Sequence, residues 1–283
     1  MIQTGEAKER QALATDDAGV LRFPRMNIGG LPVATLDRQQ TAELTINAAL
    51  SRRGKNLPCL FFTTANGQVI SLCAADPAVK TLFEQADVVS PDGMSVVFAS
   101  RLHGKPGLTE RVATTDAFHD AARLAEETGA RFFFFGATEE VNERATAKAQ
   151  ELYPRLKIVG RRNGYFQSDE EDNIIDTINA AAPDILWVGL GVPHQQRFVL
   201  RHRERLTSVG VTKSCGGLFD FLAGKNSRAP EWMQKTGFEW AYRAYQEPHR
   251  LLWRYLTTNP HALYFLLRRS GGAVPDGRLA IGG

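Results

Sequence analysis

The feature that most constrains the fold is an alternation of short apolar runs with longer stretches of helical spacing. It is plainest after Gly129, where four consecutive phenylalanines follow Arg131 and Gly136 closes the run. Such a run predicts a strand of a parallel sheet, buried on both faces. Similar runs, each separated from the next by a helical stretch, occur at 59–64, 87–90, 156–160, 184–189 and 211–215. The predicted fold class is therefore α/β, with a mostly parallel sheet and helices on both faces.

Composition narrows the protein class. The chain has 283 residues, of which 43% are hydrophobic and 23% charged, as in soluble globular proteins. A net charge of +3 is too small to indicate a nucleic-acid partner. The three cysteines lack metal-ligand spacing, which favours reduced thiols in the cytosol. The sequence contains no secretory signal and no apolar run of about 18 residues. We therefore expect any contact with a membrane to be peripheral, without a spanning helix.

Changes of composition divide the chain into four parts. Residues 1–24 are polar and predict a flexible tail, and 25–229 carry the strand and helix alternation. Residues 230–270 hold most of the tryptophans and tyrosines together with several arginines, which predicts a helical appendage broken by Pro248 and Pro260. Residues 271–283 are predicted to be a second flexible tail.

Two loops are predicted to meet at the carboxyl edge of the sheet, where α/β folds bind ligands. The first carries Thr64 and Asn66, and the second is Pro91-Asp92-Gly93. Asp92 has two interpretations: a carboxylate at the start of a helix capped by Ser90, or a general base. Asn66-Gly67 is a common turn pair, but the amide and the Thr64 hydroxyl also suit a sugar or nucleotide.

A glycine pair offers a candidate anion site. Gly216 and Gly217 follow a strand and precede a helix, so their backbone N–H groups suit a diphosphate, although tight strand–helix packing explains them equally well. Gly189-x-Gly191 is only half of a dinucleotide fingerprint. No Asp-x-Asp pair and no repeated His/Cys/Asp spacing occurs, so we predict neither a metal nor another cofactor.

The arginines of the C-terminal stretch also have two interpretations. Arg243, Arg250 and Arg254 lie among tryptophans and tyrosines that suit the core of a helical subdomain. Aromatic rings beside cations are equally typical of a membrane-interface segment, and arginines can hold a diphosphate through paired hydrogen bonds.

Taken together, several motifs resemble the WecG/TagA/CpsF family of bacterial glycosyltransferases over about residues 27–268. The motifs are Thr64-Ala65-Asn66, Pro91-Asp92-Gly93, Glu110-Arg111-Val112, Gly189-x-Gly191-x-Pro193-x-Gln195, Gly216-Gly217-x-Phe219-Asp220-Phe221-x-Ala223-Gly224, Arg228-Ala229-Pro230-Glu231-Trp232, Glu239-Trp240-x-Tyr242-Arg243 and Gln246-Glu247-Pro248-x-Arg250.

The resemblance implies a Rossmann-like domain whose C-terminal appendage works at the membrane, on the cytoplasmic side of the cell membrane. It implies an inverting, metal-independent glycosyltransferase that moves an N-acetylmannosamine-type sugar or glucose from a UDP-sugar to a polyprenyl-diphosphate-linked sugar in surface polysaccharide synthesis. It also implies site roles: Asp92 as base; Thr64, Asn66, Arg111, Asp116, Gln195, Gly216 and Gly217 as substrate contacts; Arg243, Arg250 and Arg254 as lipid or diphosphate contacts.

One departure concerns the donor pocket. Many relatives have a glycine before the aspartate that starts the helix at 116, whereas this chain has Ala113-Thr114-Thr115. The added side chains are expected to narrow that edge of the pocket. A homo-oligomer is compatible with the sequence. Two other functions remain open at this point: an NAD- or nucleotide-sugar-dependent oxidoreductase, and a non-catalytic scaffold of a membrane complex.

Overall fold

The computed structural model describes residues 19–103, 107–272 and 274–281. The described chain forms strands β1 (Val20–Phe23), β2 (Arg25–Ile28), β3 (Leu31–Ala34), β4 (Leu60–Ala65), β5 (Val88–Pro91), β6 (Arg131–Gly136), β7 (Lys157–Arg162), β8 (Ile185–Gly189), β9 (Val211–Ser214) and β10 (Gly277–Ala280). Its helices are α1 (Arg38–Ser51), α2 (Gly67–Ala75), α3 (Pro77–Glu84), α4 (Met94–His103), α5 (Thr114–Thr128), α6 (Glu139–Leu152), α7 (Glu171–Ala181), α8 (His194–His202), α9 (Leu218–Leu222), α10 (Glu231–Thr236), α11 (Glu239–Gln246) and α12 (Pro248–Arg268).

The main sheet has six strands in the order β5-β4-β9-β8-β6-β7. Every neighbouring pair is parallel, so all six carboxyl ends lie at one edge. This confirms the predicted α/β class with a parallel sheet. The loops after β4, β5, β6, β8 and β9 are thereby brought together, although long stretches of sequence separate them.

Both faces of this sheet are buried, and the phenylalanine run shows how. Phe132 and Phe134 point to one face, into the core cluster that contains residues of α1, α5 and α6. Phe133 and Phe135 point to the other, where α7 and α8 supply apolar side chains. Because successive side chains of a strand alternate between faces, a run that is apolar at every position is stable only where both faces are covered.

Some local predictions need correction. The stretch after Asn66 continues as α2 instead of remaining a loop. Ser90 does not cap a helix, because it is buried within β5 and α4 begins only at Met94. Pro260 lies inside α12 without ending it.

Both predicted flexible tails contain a short strand where the structure describes them, whereas residues 1–18, 273 and 282–283 of these tails lie outside the described residues. β1 and β10 pair antiparallel, with Val20 opposite Ala280 and Phe23 opposite Gly277. Leu21 and Phe23 are buried in the main core, and the Phe23 ring fills the space that a side chain at position 277 would need. Each strand has only four residues, and its partner lies at the opposite end of the chain, so neither shows a recognisable pattern in the sequence.

The C-terminal helices do not form a detached unit. α12 packs along α2 and also contacts α4, and α11 packs on α12. Ala244, Leu251 and Tyr255 form a small core of their own between α11 and α12. Within the described ranges, no helix combines the length and the apolarity that crossing a bilayer requires.

Asp184, just before β8, ties α1 to the sheet. Its carboxylate is 1% exposed and accepts hydrogen bonds from Arg53 Nε at 2.7 Å and from the Arg131 backbone N–H at 2.7 Å. Burial raises the pKa of Asp184, but the hydrogen bonds from both arginines outweigh burial and leave this pKa below its usual value. The ionised form therefore stabilises the fold.

We expect Asp184→Asn to lower the free energy of unfolding by about 1–3 kcal/mol near pH 7, since charge-assisted hydrogen bonds are lost. The pKa of this carboxyl is lower in the folded protein than in the unfolded chain, where it is about 3.9. The ionised carboxylate therefore stabilises the fold above about pH 3.9, and this stability is lost as the pH falls through the pKa of the folded state. The difference between wild type and variant should therefore shrink below about pH 4. Urea unfolding at several pH values measures it, with exposed Asp176→Asn on α7 as control. Equal stability of wild type and Asp184→Asn at pH 7 would contradict this role.

Candidate active site

A cleft of about 850 Å³ opens along the carboxyl edge of the main sheet. The loops after β4, β5, β6, β8 and β9 form its floor, and α11 and α12 form a wall. The cleft brings together most of the predicted site residues: Thr64, Asn66, Asp92, Arg111, Gln195, Gly216, Gly217, Arg243 and Arg254. Asp116 is not among the residues that line it.

Asp92 lies deep in this cleft, immediately after β5. Its backbone N–H donates to the Ala65 carbonyl at 2.8 Å, which fixes the β5 loop against the end of β4. The Thr114 hydroxyl donates to Asp92 Oδ2 at 3.1 Å. Gly93 has φ +129°, a conformation that side chains rarely adopt, so a glycine is needed for the chain to turn here.

The surroundings of Asp92 have opposing effects on its pKa. Burial raises this pKa most strongly, and nearby Glu239 adds to the increase. Arg111, the Thr114 hydroxyl and Arg243 act in the opposite direction, but burial prevails and the pKa of Asp92 stays above its usual value. A carboxylate with a raised pKa is a stronger base than an exposed one, which suits proton removal from an alcohol.

The β4 loop supplies an amide and a hydroxyl beside Asp92. Asn66 is the N-cap of α2, since its Oδ1 accepts a hydrogen bond from the Val69 N–H at 3.1 Å. The structural alternative for Asn66 is thus a helix cap, not the simple turn considered from the sequence. Its NH₂ group is the part of the side chain left for a ligand. Thr64 lines the same part of the cleft.

Gln195 and the glycine pair are joined across the floor. Buried Gln195 accepts a hydrogen bond from the Gly216 N–H through Oε1 at 3.3 Å. Gly216 has φ +52°, which lets the chain turn from β9 into α9. The expectation that both glycines present free N–H groups is therefore wrong for Gly216. The Gln195 oxygen holds the turn, and its amide nitrogen is the group that remains for a ligand.

Arg111 is held in place by the C-terminal helices. Its guanidinium donates to Glu239 at 2.5 Å and to Gln234 at 2.7 Å. Arg228 also binds Gln234, at 2.7 Å, and pairs with Asp116 at 2.9 Å. Asp116 is thus engaged in an ion pair outside the cleft lining, which favours a structural role over the predicted substrate contact.

The arginines of α11 and α12 approach the cleft from its wall. The Arg243 guanidinium lies over the Phe221 ring, 5.4 Å from its centre, and close to Gly217. The Arg254 guanidinium lies 5.0 Å from the centre of the Tyr255 ring. The side chain of Arg250, the third predicted member, lies outside what the structure describes. Stacked guanidiniums keep their N–H groups at the ring edges available for an anion.

Sequence reasoning missed two side chains that organise the site. Thr114 was considered only as a possible obstruction in the donor pocket, yet it donates to Asp92. Glu239 appeared in a motif without a role, yet it fixes Arg111. No local pattern identifies either pair, because each joins segments far apart in the chain. Across the described residues, no group of three or more His, Cys, Asp or Glu side chains is arranged to hold a metal.

Known proteins are similar in sequence to this chain over most of its length. The chain is 32% identical over 208 residues to an N-acetylglucosaminyldiphosphoundecaprenol N-acetyl-beta-D-mannosaminyltransferase of Bacillus spizizenii, covering 74% of this chain and 79% of the relative. A Bacillus subtilis protein with the same name is 32% identical, with 70% and 75% covered. One from Staphylococcus aureus is 30% identical, with 68% and 74% covered.

The family comparison agrees with these relatives and with the resemblance read from the motifs. Residues 26–273 match the family described as Glycosyl transferase WecG/TagA/CpsF family. That range contains the whole parallel sheet, the cleft and the C-terminal helices. The chain therefore belongs to the WecG/TagA/CpsF family and is a glycosyltransferase.

Proposed function

We propose that this glycosyltransferase moves a hexose or N-acetylhexosamine, of the N-acetylmannosamine type or glucose, from a UDP-sugar to a polyprenyl-diphosphate-linked sugar. The observation that carries the proposal is Asp92, a carboxylate with a raised pKa on the floor of a large cleft beside Arg111 and Arg243. The names of the relatives support the acceptor, since each describes transfer to an undecaprenyl-diphosphate-linked sugar.

In the proposed reaction, Asp92 acts as the general base. Its carboxylate takes the proton from the acceptor hydroxyl while that oxygen forms a bond to the anomeric carbon of the donor. The bond between this carbon and the UDP oxygen breaks, and its electron pair leaves with UDP. Attack and departure occur on opposite faces, so the configuration is inverted. The Thr114 hydroxyl, bonded to Oδ2 at 3.1 Å, holds the carboxylate in one orientation.

Arginines would balance the charge that develops on the departing UDP. Arg111 and Arg243 both act electrostatically on Asp92, so their positive charge already reaches the reacting centre. Fixed cations in a partly enclosed cleft stabilise a growing negative charge more strongly than water does. With these groups in place, we propose that the transfer does not depend on a metal ion.

The exposed aromatic side chains of the C-terminal helices suit the membrane that carries a polyprenyl acceptor. Tyr245 on α11 is 85% exposed and Trp253 on α12 is 75% exposed, and Leu252 and Leu256 are exposed beside Trp253. Arg254 lies on the same helix and lines the cleft. Rings at headgroup depth with arginines near lipid phosphates are typical of a helix that lies in a membrane interface. We propose peripheral association through this surface.

We expect Asp92→Asn to lower kcat by about 10²–10⁴-fold, since an amide cannot accept the proton. The measurement is product formation from a panel of UDP-sugars and a lipid-diphosphate-sugar acceptor. Asp120→Asn is the matched control: this aspartate lies on α5 and pairs with Arg38, outside the cleft lining. It should keep wild-type kcat. Near-normal turnover by Asp92→Asn would remove Asp92 from the role of base.

Turnover in excess EDTA should equal turnover without EDTA, because arginines, and not a metal ion, are proposed to stabilise the negative charge that develops on UDP. The assay uses protein dialysed against chelator, with Mg²⁺ or Mn²⁺ added back in parallel. A strict requirement for either ion would contradict the metal-free mechanism while leaving the donor and acceptor assignments intact.

The double variant Tyr245→Ser/Trp253→Ser should bind vesicles of anionic phospholipid at least tenfold more weakly, since burying even one large apolar side chain is worth about 1.5–3 kcal/mol and tenfold corresponds to about 1.4 kcal/mol. Sedimentation with vesicles measures the binding. Leu152→Ser, which changes an exposed apolar residue on α6, should bind as wild type does. Equal binding by all three proteins would exclude this surface as the membrane contact.

A further inference from the structure

Lys213 is a buried cation that the proposed reaction does not use. It lies in β9, is 1% exposed, and is in register with Phe62 of β4 and Trp187 of β8. Its Nζ lies 5.9 Å from the centre of the Phe62 ring and has no hydrogen-bond partner within the part of the chain that the structure describes. Burying an ammonium group without a partner is costly, so lysine is almost never found in such a position.

Packing alone does not explain this residue. Val211 and Cys215, two positions before and after it, belong to the main core cluster, as do Phe62 and Trp187. A leucine or methionine would suit a space between such neighbours without the cost of burying a charge. The ammonium group itself therefore requires an explanation.

The position of Lys213 relative to the cleft suggests one. Cys215, two residues after Lys213, lines the cleft. Lys213 lies opposite Phe62 of β4, and Phe62 lies opposite Val88 of β5, four residues before Asp92. Burial lowers the pKa of Lys213 to about 8, whereas the Asp92 carboxylate acts to raise it. The side chain is thus mostly protonated at neutral pH. The main influences on the pKa of Asp92 are burial, Arg111, the Thr114 hydroxyl, Glu239 and Arg243, so any effect of Lys213 comes in addition to these.

We propose that Lys213 is a positioning residue for the transfer reaction, whose ammonium group stabilises the ionised form of Asp92 from beneath the cleft. Electrostatic interaction is mutual, so a carboxylate that favours the lysine cation is itself favoured by that cation. This inference rests on the proposed role of Asp92 as base.

The burial of Lys213 gives it a function that the other cations lack. Arg111 and Arg243 line the cleft and also act on Asp92, so a bound diphosphate competes for their charge. Lys213 is 1% exposed and does not line the cleft, so a substrate phosphate cannot pair with it directly. Its effect on Asp92 therefore persists when the donor is bound, which is when the carboxylate must be ionised.

Lys213→Met removes the charge while keeping an unbranched side chain of similar length. We expect the pKa of the Asp92 carboxyl to rise by about 1, measured by ¹³C NMR titration of carboxyl-labelled aspartate. Asp92→Asn identifies the signal. In the pH profile of kcat/KM, the acid limb should move to higher pH by the same amount. At a given pH on that limb, kcat/KM therefore falls about tenfold. An unchanged carboxyl pKa would overturn the inference.

Thr212→Val is the matched control, because Thr212 is equally buried in β9 and its hydroxyl bonds the Leu60 carbonyl. It should lower the melting temperature and leave the Asp92 pKa unchanged. A purely structural lysine would behave in the same way as this control.

A reciprocal measurement avoids any change at Lys213. In Asp92→Asn the pKa of Lys213, followed by NMR of labelled lysine, should fall below the wild-type value by the same amount, and no change would contradict the coupling. Neither NMR titration requires turnover. If wild type transfers no sugar, the proposed function fails while the titrations still decide whether Lys213 acts on Asp92.

Discussion

The main sheet is buried on both faces, so the backbone N–H and C=O groups of its strands have no water to bond and must pair along the ladders. Each strand is therefore paired along its ladder from β5 to β7, with one register shift between β6 and β7 at Phe132 and Phe133. Because the strands are parallel, all the loops that follow them lie at one edge of the sheet, and the cleft is formed there. The arrangement of polar side chains in the cleft is thus a consequence of how the apolar strands are packed.

Within the cleft, the balance between burial and positive charge at Asp92 determines what chemistry is available. Burial disfavours the ionised carboxylate, which is the form that accepts a proton. The cations that lower the pKa of Asp92 come from separate parts of the chain: Arg111 from the loop before α5 and Arg243 from α11. Lys213 of β9 is proposed to add to them. Glu239 of α11 holds Arg111 at 2.5 Å. The C-terminal helices therefore contribute to the electrostatics of the site as well as to its wall.

Much of this could be predicted from the sequence, and the failures have physical causes. The phenylalanine run and the alternation around it predict the parallel sheet, because burial on both faces demands a continuous apolar pattern. The loops with Asn66 and Asp92 were expected to meet, because the carboxyl ends of parallel strands share an edge. The bond from Thr114 to Asp92 and the pairing of Asp116 with Arg228 could not be predicted, since they depend on tertiary placement. The buried Lys213 gave no signal either, as its position in an apolar strand offers no local partner.

The pairing of β1 with β10 has a consequence for how the protein is made. These strands are separated by nearly the whole chain, so β1 leaves the ribosome long before its partner has been synthesised. Until then the apolar side chains of Leu21 and Phe23 lack the strand that covers them. The parallel sheet can assemble first, since its strands all lie between these two. Pairing of β1 with β10 must therefore wait until the C-terminal strand has been synthesised, and before that point the exposed apolar side chains of β1 are of the kind that chaperones bind.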